Sequence, residues 1–537
     1  MHIGILATSN ILVCIISVYL YTKFASEDFK LGQKTKEISH DKIDMFHTMH
    51  WCFDHQSRIC RFQSLCYYPF EDQFVYLVNN SSQEELKSTL LSLSFSSVSE
   101  LDAFSFAPVF ISQNFSKLKI HWLGGNVMLF KRFKPDNIMH VLHDDVLPLY
   151  HTLQFLGERK LKLLFMDNFT QGPYDIFYKL LADVRYKPSA NEQELVCFES
   201  AFIGVSPVSK WYQYGYHGKV QGPVANDKLN SFHIHGATSS IMKKLKSATN
   251  NQYIGDYLVL ISRTETRRIL NEKKLISKIE FDTKMKILVI SDGDFSEMVH
   301  VVQASRGIIG MHGALLILGL FLKPGSILIE LFPYAVNPDN YTPYRTLSSI
   351  PGMSIIYNSW RNKEKTKSFF HPDYPPEEGG IRHLPEKIQA QIMEQEEVPL
   401  HSCCSDPAWL FYINQDTEVN VEEVVHIIQK ALTESNLFTG PQVSDKEPSV
   451  VKHLQCSCAD NKLTLNWEKP WNLDYIGIDS VQYMIGVQSR QLKSYKVYIV
   501  NVISYVIEDG IDCNDTYNVW VNAEMNGVKG VVQYIEC

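Results

Sequence analysis

Between residues 257 and 332 the chain repeats one pattern of apolar and polar positions. YLVLIS (257–262), MKILVIS (285–291), GIIG (307–310) and SILIELF (326–332) are short unbroken apolar runs, as expected of strands buried on both faces. The segments between them, RRILNEKKLISKI (267–279), SEMVHVVQAS (296–305) and GALLILGLF (313–321), have helical spacing and length. Strand and helix in alternation predict βαβ units, hence an α/β fold with a parallel sheet. Ligands of such sheets sit at the carboxyl ends of the strands. A closing helix is predicted at VNVEEVVHIIQKAL (419–432), and residues 435–449 read as a linker.

Either side of this region the pattern differs. From 46 to 245, short apolar runs such as FVYLV (74–78), KLLFM (162–166) and FIGVS (202–206) alternate with turn-rich pieces. From about 450, LTLNW (463–467), VQYMIGV (481–487), YKVYIVNVI (495–503) and YNVWVNAEM (517–525) predict a small all-β sandwich over 450–537. Trp467, with Tyr517 in Tyr-x-x-Trp-x-x-Ala, resembles the marks of a fibronectin type III domain.

At the other end, residues 3–20 carry no charged side chain. With Tyr21 and Thr22 they reach the roughly 20 residues that cross a bilayer. Residues 1–22 are therefore expected to anchor the chain, with 23–45 as a polar stem. A cleaved signal peptide is the alternative, though no small-residue cleavage site follows the apolar run. Lys23, Lys30, Lys34 and Lys36 favour a cytosolic body, but a large following domain translocates largely regardless of such charges. A single-pass protein with a lumenal body is expected.

Composition narrows the partners. The 537 residues carry 51 Lys and Arg against 59 Asp and Glu, a net charge of −8. No run of basic residues offers the cationic surface that nucleic acid requires. Of the 11 cysteines, Cys14 lies in the apolar leader and ten remain. Cys52, Cys60 and Cys66 cluster early, Cys403 and Cys404 are adjacent, and Cys456, Cys458, Cys513 and Cys537 crowd the C-terminus. That clustering favours disulfides in an oxidising compartment over free thiols, with the pairing open. Asn79, Asn80, Asn114, Asn168, Asn340 and Asn514 begin glycosylation sequons.

Three segments carry candidate chemistry. In RFKPDNIMHVLHDDVLPLYHTL (132–153), a helix starting near Asn137 would align Asn137, His140 and Asp144 on one face. An amide, an imidazole and a carboxylate there could bind a polyol and take its proton. A capped helix with a wet polar side is the blander alternative. His143 and Asp145 point away from that line, and Pro148 should end or kink the helix. In SRTETRRILNE (262–272), Arg263, Arg267 and Arg268 follow a strand, where guanidinium forks suit a ligand phosphate. In GMHGALLILGLFLKPGSILIELFP (310–333), Gly310, Gly313 and Ala314 would let backbone approach an anion at a helix start. Glu330 is the candidate to accept hydrogen bonds from ribose hydroxyls, or else it pairs with a surface lysine. Asp292-Gly-Asp294 matches the metal-holding Asp-x-Asp of sugar transferases, but it is short and no metal site is expected from it.

These segments together resemble a known family. RFKPDNIMHVLHDDVLPLY, WYQYG (211–215), SRTETRRILNE, GMHGA, ELFPYAVNPDNYTPY (330–344), HSCC (401–404), WLFYINQDT (409–417) and PWNLDYI (470–476) are similar to protein O-linked-mannose β-1,4-N-acetylglucosaminyltransferases. The resemblance runs from about Cys52 to the C-terminus. It implies a GT-B fold of two Rossmann-like lobes, 46–245 on the acceptor side and 246–434 binding the nucleotide sugar, followed by a fibronectin domain. It further implies an enzyme of the endoplasmic reticulum membrane with a lumenal body. The implied reaction is inverting transfer of N-acetylglucosamine from UDP-N-acetylglucosamine to O-linked mannose, as on α-dystroglycan, with no cofactor. Asn137, His140 and Asp144 then fall on the family's Asn-x-x-His-x-x-x-Asp, with the base either His140 or Asp144. Arg263 and Arg267 fall on its diphosphate-facing arginines, and His312, Gly313 and Ala314 on its nucleotide-lobe His-Gly-Ala. A transferase acting on EGF domains, or a non-catalytic lumenal adaptor, are the alternatives.

Overall fold

The unbroken apolar runs form the expected sheet. In the computed structural model, strands Tyr257–Ile261, Lys286–Ile290, Gly307–Met311, Ile327–Phe332 and Ile356–Arg361 pair side by side, every pairing parallel. Their spatial order is second, first, third, fourth, fifth. The chain leaves the first strand to one side and returns past it to the other. The resulting switch point lies between the carboxyl ends of Tyr257–Ile261 and Gly307–Met311, the place where open α/β sheets bind ligands. The fifth strand was not evident in the sequence, because IYNSWR at the sheet edge is mostly half-buried and mixes polar with apolar residues.

The structure describes residues 47–53, 59–77, 93–99, 101–111, 118–157, 161–189, 194–215, 220–226, 228–245, 257–291, 293–402, 404–438, 448, 451–470, 481–491, 495–525, 528–530 and 532–537. The expected anchor (1–22) and stem (23–45), most of the linker, and sequons at Asn79, Asn80 and Asn114 lie outside them. Among the described residues no helix is long and apolar enough to cross a membrane.

Two predicted helices differ in detail. The helix expected from 267 starts at Glu272 and runs to Thr283, because Arg267 adopts a left-handed φ of 58° that no α-helix accommodates. The three arginines therefore sit on a loop. Residues Ala314–Phe321 form a 3₁₀ helix instead of an α-helix. At about 2.0 Å rise per residue against 1.5 Å, the tighter coil covers more distance with the same eight residues. It packs close to the sheet, where a Cβ on Gly319 would come within 2.9 Å of Leu328 Cδ1.

The first half of the chain builds a nine-stranded mixed sheet. Lys119–Phe130 and Glu194–Ile203 pair in parallel at its centre, and Lys162–Phe165 and Asp183–Tyr186 extend it in parallel. The hairpin of Leu65–Tyr68 and Gln73–Leu77 joins antiparallel to Glu194–Ile203, which makes this sheet mixed where a purely Rossmann-like lobe was expected. Cys66–Cys197 ties that hairpin to the central strand, and Cys52–Cys60 closes the preceding strand pair. The two halves share one apolar core, with Met128, Phe130 and Trp211 from the first and Ile308, Leu316 and Leu328 from the second. Each such fully buried side chain is worth about 2 kcal/mol, so the halves are held together by more than a linker.

The C-terminal region is a pair of packed antiparallel sheets. One holds Lys452–Ala459, Lys462–Glu468 and Ser504–Ile507. The other is built on Gln482–Ser489 between Tyr495–Val500 and Tyr517–Met525. Trp467 is buried between them against Tyr483. Tyr517 turns its hydroxyl back to accept the Asp512 N–H at 2.8 Å. Cys456–Cys537 and Cys458–Cys513 close the sandwich, so the terminal cysteines pair as disulfides.

Candidate active site

The first half of the site is carried by an irregular helix. Asn137 caps it, its side-chain oxygen accepting the Met139 N–H at 3.0 Å. After one turn, Ile138–His140, the helix widens into a π segment, Val141–Val146, and then resumes as Leu147–Leu156. Pro148 does not end it, and the irregular π segment stops just before the proline. The carbonyl that loses its partner to a proline is four residues back, that of Asp144. The Ser97 hydroxyl donates to it at 2.6 Å.

The π segment also changes which side chains converge. His140 Nδ1 lies 2.7 Å from Asp144 Oδ2, the alignment expected from the sequence. His143, expected to point away, joins them with Nδ1 2.8 Å from Asp144 Oδ1. One carboxylate thus sits between two imidazoles. Burial alone would raise the Asp144 carboxyl, but the charge and hydrogen bonds of the two histidines hold it well below the usual carboxylate range. Its side chain is 0% exposed, whereas that of His140 is 11% exposed. Only the imidazole reaches toward solvent.

Asp145 leaves this cluster and braces the approach. It accepts the Tyr178 hydroxyl at 2.6 Å and faces the Phe133 N–H, and burial pushes its carboxyl well up. Next to Phe133, the buried Arg132 is gripped by Asp167 and Asp175 and lies over the Phe165 ring. The WYQYG segment closes the other side. Tyr214 sets its ring 4.7 Å from that of His140 and its hydroxyl 3.0 Å from His143 Nδ1. Trp211 packs edge-on to His143 with centroids 4.1 Å apart.

The second half of the site lies at the switch point. Arg267 donates to Asn414 Oδ1 at 3.2 Å and to the His312 carbonyl at 3.2 Å, both neutral oxygens. Burial, reinforced by the charge of Arg263, pushes the Arg267 guanidinium down to about 9, so it stays charged at neutral pH but poorly compensated. Arg263 is folded back with its Nε on the Thr266 carbonyl. Both arginines converge on Gly313, where a Cβ would stand 3.0 Å from Arg263 Nη1 and 3.1 Å from Arg267 Nη1. A side chain at this position would press on both guanidiniums. Ala314 begins the 3₁₀ helix directly after it. Arg268 is diverted from this cluster, its guanidinium bonded to Asp416 at 2.6 Å.

Glu330 is engaged by two side chains of the same half. It is fully buried, with Oε1 2.6 Å from His312 Nδ1 and Oε2 accepting the Tyr357 hydroxyl at 2.6 Å. Its carboxylate holds the histidine and the phenol, and among the described residues no lysine pairs with it. His312 in turn stacks on Phe332. Asp294 caps the helix Phe295–Ala304 through the Ser296 N–H, and Asp292 lies outside the described residues.

The two halves touch through named groups. Trp211 Nε1 donates to the Pro343 carbonyl at 3.0 Å, and the adjoining Tyr344 donates to the Gly313 carbonyl at 2.6 Å. Burial and the Glu330 carboxylate push the Tyr344 phenol up, so it remains a donor. His143, Trp211, Tyr344 and Asn414 were not singled out from spacing. All four lie in segments that carried the family resemblance, though nothing there marked their contacts.

The family described as Glycosyltransferase 61 matches residues 139–329, which span both halves of this site. A Tetraodon nigroviridis protein is 34% identical, with 96% of each chain covered, and is named protein O-linked-mannose β-1,4-N-acetylglucosaminyltransferase 2. The chain belongs to that family. Relatives of the same name from Takifugu rubripes and Homo sapiens are also 34% identical, covering 98% and 88% of this chain and 98% and 85% of theirs. Among solved structures, the FN5 domain of Drosophila Lar matches 17% of this chain and 94% of its own at 14% identity and a TM-score of 0.14, too slight a likeness to bear on the fold. Within this O-mannose N-acetylglucosaminyltransferase family, the cluster around Asp144 and the arginines at Gly313 belong to a glycosyltransferase.

Proposed function

We propose that this enzyme transfers N-acetylglucosamine from UDP-N-acetylglucosamine to the 4-hydroxyl of O-linked mannose on glycoproteins, with inversion at the anomeric carbon. The observation that carries the reading is the convergence of two guanidiniums on Gly313 at the sheet's switch point. Among the described residues Arg267 there finds only neutral oxygen partners. A buried cation without a carboxylate costs several kcal/mol, which a diphosphate would offset. On this reading the parallel sheet and the mixed sheet are the two lobes of a GT-B transferase, and the terminal sandwich is a fibronectin type III domain.

The mechanism follows from exposure. Asp144 is enclosed and cannot reach an acceptor, so it fixes the imidazole, while His140 Nε2 acts as the base. The acceptor hydroxyl gives its proton to that nitrogen as its oxygen forms a bond to the anomeric carbon. The bond from that carbon to the UDP oxygen breaks on the opposite side, and UDP departs with the electron pair. Arg263, Arg267 and the backbone at Gly313 and Ala314 stabilise its growing charge, without assigning that task to a metal. His312, held by Glu330, completes the nucleotide side. Asn137 contributes by capping the helix that carries the base. The disulfides suit a lumenal body, in keeping with a single-pass anchor in the endoplasmic reticulum membrane.

The test is a pair of measurements on the full chain and its His140→Gln variant. UDP should shift the unfolding temperature of both equally, and transfer to an O-mannosyl peptide should be lost in the variant alone. Transfer by a folded His140→Gln protein at the unaltered rate would remove His140 as the base.

A further inference from the structure

We propose that His143 is a positioning residue for the transfer, clamping Asp144 from the side opposite His140. The proposal rests on His140 being the base. His143 is fully buried and cannot touch an acceptor, so it acts through the carboxylate. Each oxygen of Asp144 has its own imidazole, Oδ2 with His140 and Oδ1 with His143, at 2.7 and 2.8 Å. The Trp211 N–H points at His143 Nε2 from 3.4 Å, which assigns the proton to Nδ1 and makes His143 a donor to Asp144. Without that donor, one oxygen of a fully buried carboxylate would lose its imidazole partner. The carboxylate could then turn, and the His140 ring it holds would turn with it.

The surrounding groups define the expected effect. From the segment packed against the helix, Tyr214 sets its hydroxyl on His143 Nδ1 and its ring against His140. On the helix itself, Asp145 is the nearest other carboxyl, and it faces Tyr178. Among the described residues, the two histidines are the groups that hold the Asp144 carboxyl low. By donating to Oδ1, His143 draws charge away from the oxygen that holds His140. Removing it would leave Asp144 pulling on His140 alone and would stabilise the protonated imidazole.

The test is the pH dependence of kcat/KM in His143→Leu and His143→Gln, each with UDP-induced thermal shift as the folding control. In His143→Leu the acid limb should move up by about half a pH unit, so the loss of rate is roughly threefold greater at acid pH than on the plateau. His143→Gln, which retains an N–H donor, should bring the limb back toward that of the parent. His143→Met replaces the leucine variant if the latter does not fold. A limb that stays fixed while both variants lose rate equally at every pH would overturn the proposal and leave His143 as packing. Full activity of His140→Gln would instead overturn the base assignment beneath it.

Discussion

Arg267 allows the role of a guanidinium to be separated from the strain of the backbone that carries it. Its φ of 58° is left-handed, a region that costs a residue with a Cβ roughly 1 kcal/mol and glycine almost nothing. Replacing Arg267 by Ala removes the guanidinium and keeps the strain, whereas Arg267→Gly removes both. Both variants lose the bonds to Asn414 and the His312 carbonyl and the poorly compensated charge, so these cancel in the comparison. The glycine variant should therefore be more stable than the alanine variant by about 1 kcal/mol, measured by urea unfolding of the UDP-free proteins. Transfer should fall to the same extent in both, by about 10²–10³, equivalent to roughly 3–4 kcal/mol of lost stabilisation of the departing UDP. The stabilisation conferred by UDP should shrink in both as well. A folded Arg267→Gly protein that keeps its rate and its UDP-induced shift would refute the assignment of the diphosphate to this loop.

Three other substitutions probe different parts of the account. Asp144→Asn keeps the shape but lets the His140 ring settle in the wrong tautomer, so kcat should fall by about 10²–10⁴ with UDP affinity unchanged. Unchanged kcat would show that Asp144 does not orient the base. Glu330→Gln should weaken UDP binding through His312 while leaving the preference for UDP over 2′-deoxy-UDP as it was. Collapse of that preference would restore Glu330 to the ribose. His151, buried beside His233 and donating to its carbonyl, is pushed down to about 3 by burial and by that neighbour. Because its value is depressed on folding, it contributes full stability above about pH 6.5, and that contribution is lost as pH falls toward 3. The loss is about 2 kcal/mol by pH 5. His151→Gln should flatten the decline of unfolding temperature between pH 6.5 and 5, and an unaltered decline would exclude His151 as its source.

The parts of the molecule that were legible from the chain are those where one residue's burial decides its neighbours. Strands such as YLVLI and ILIEL are covered on both faces, so their apolar runs reveal the sheet and its carboxyl ends. The arginines after the first strand and the glycine after the third could then be placed together at those ends before any fold is known. His140 and Asp144 were also legible, because a spacing of four residues brings them together in the widened turn as it would in an α-helix. His143 was not, since it lies on a π segment that regular helical spacing does not anticipate, with the Asp144 carbonyl held by a hydroxyl 47 residues away, at Ser97. The fate of Glu330 was equally hidden, because its partners His312 and Tyr357 come from different strand ends. The hairpin that makes the first sheet mixed is fixed by a disulfide spanning 131 residues, a contact no local pattern encodes. Family resemblance pointed to the segments that meet here, and only the folded geometry shows which of their side chains touch.

The most direct measurement is to incubate the full chain with UDP-N-acetylglucosamine and an O-mannosylated peptide, with and without EDTA, and to analyse the product by mass and NMR. The account predicts one added N-acetylhexosamine, β-linked to the 4-hydroxyl of mannose, formed equally in both conditions. Folded protein that binds UDP yet leaves the mannosyl peptide unmodified, while modifying an EGF domain or nothing at all, would contradict it. Transfer abolished by EDTA would contradict the arginine-based departure of UDP.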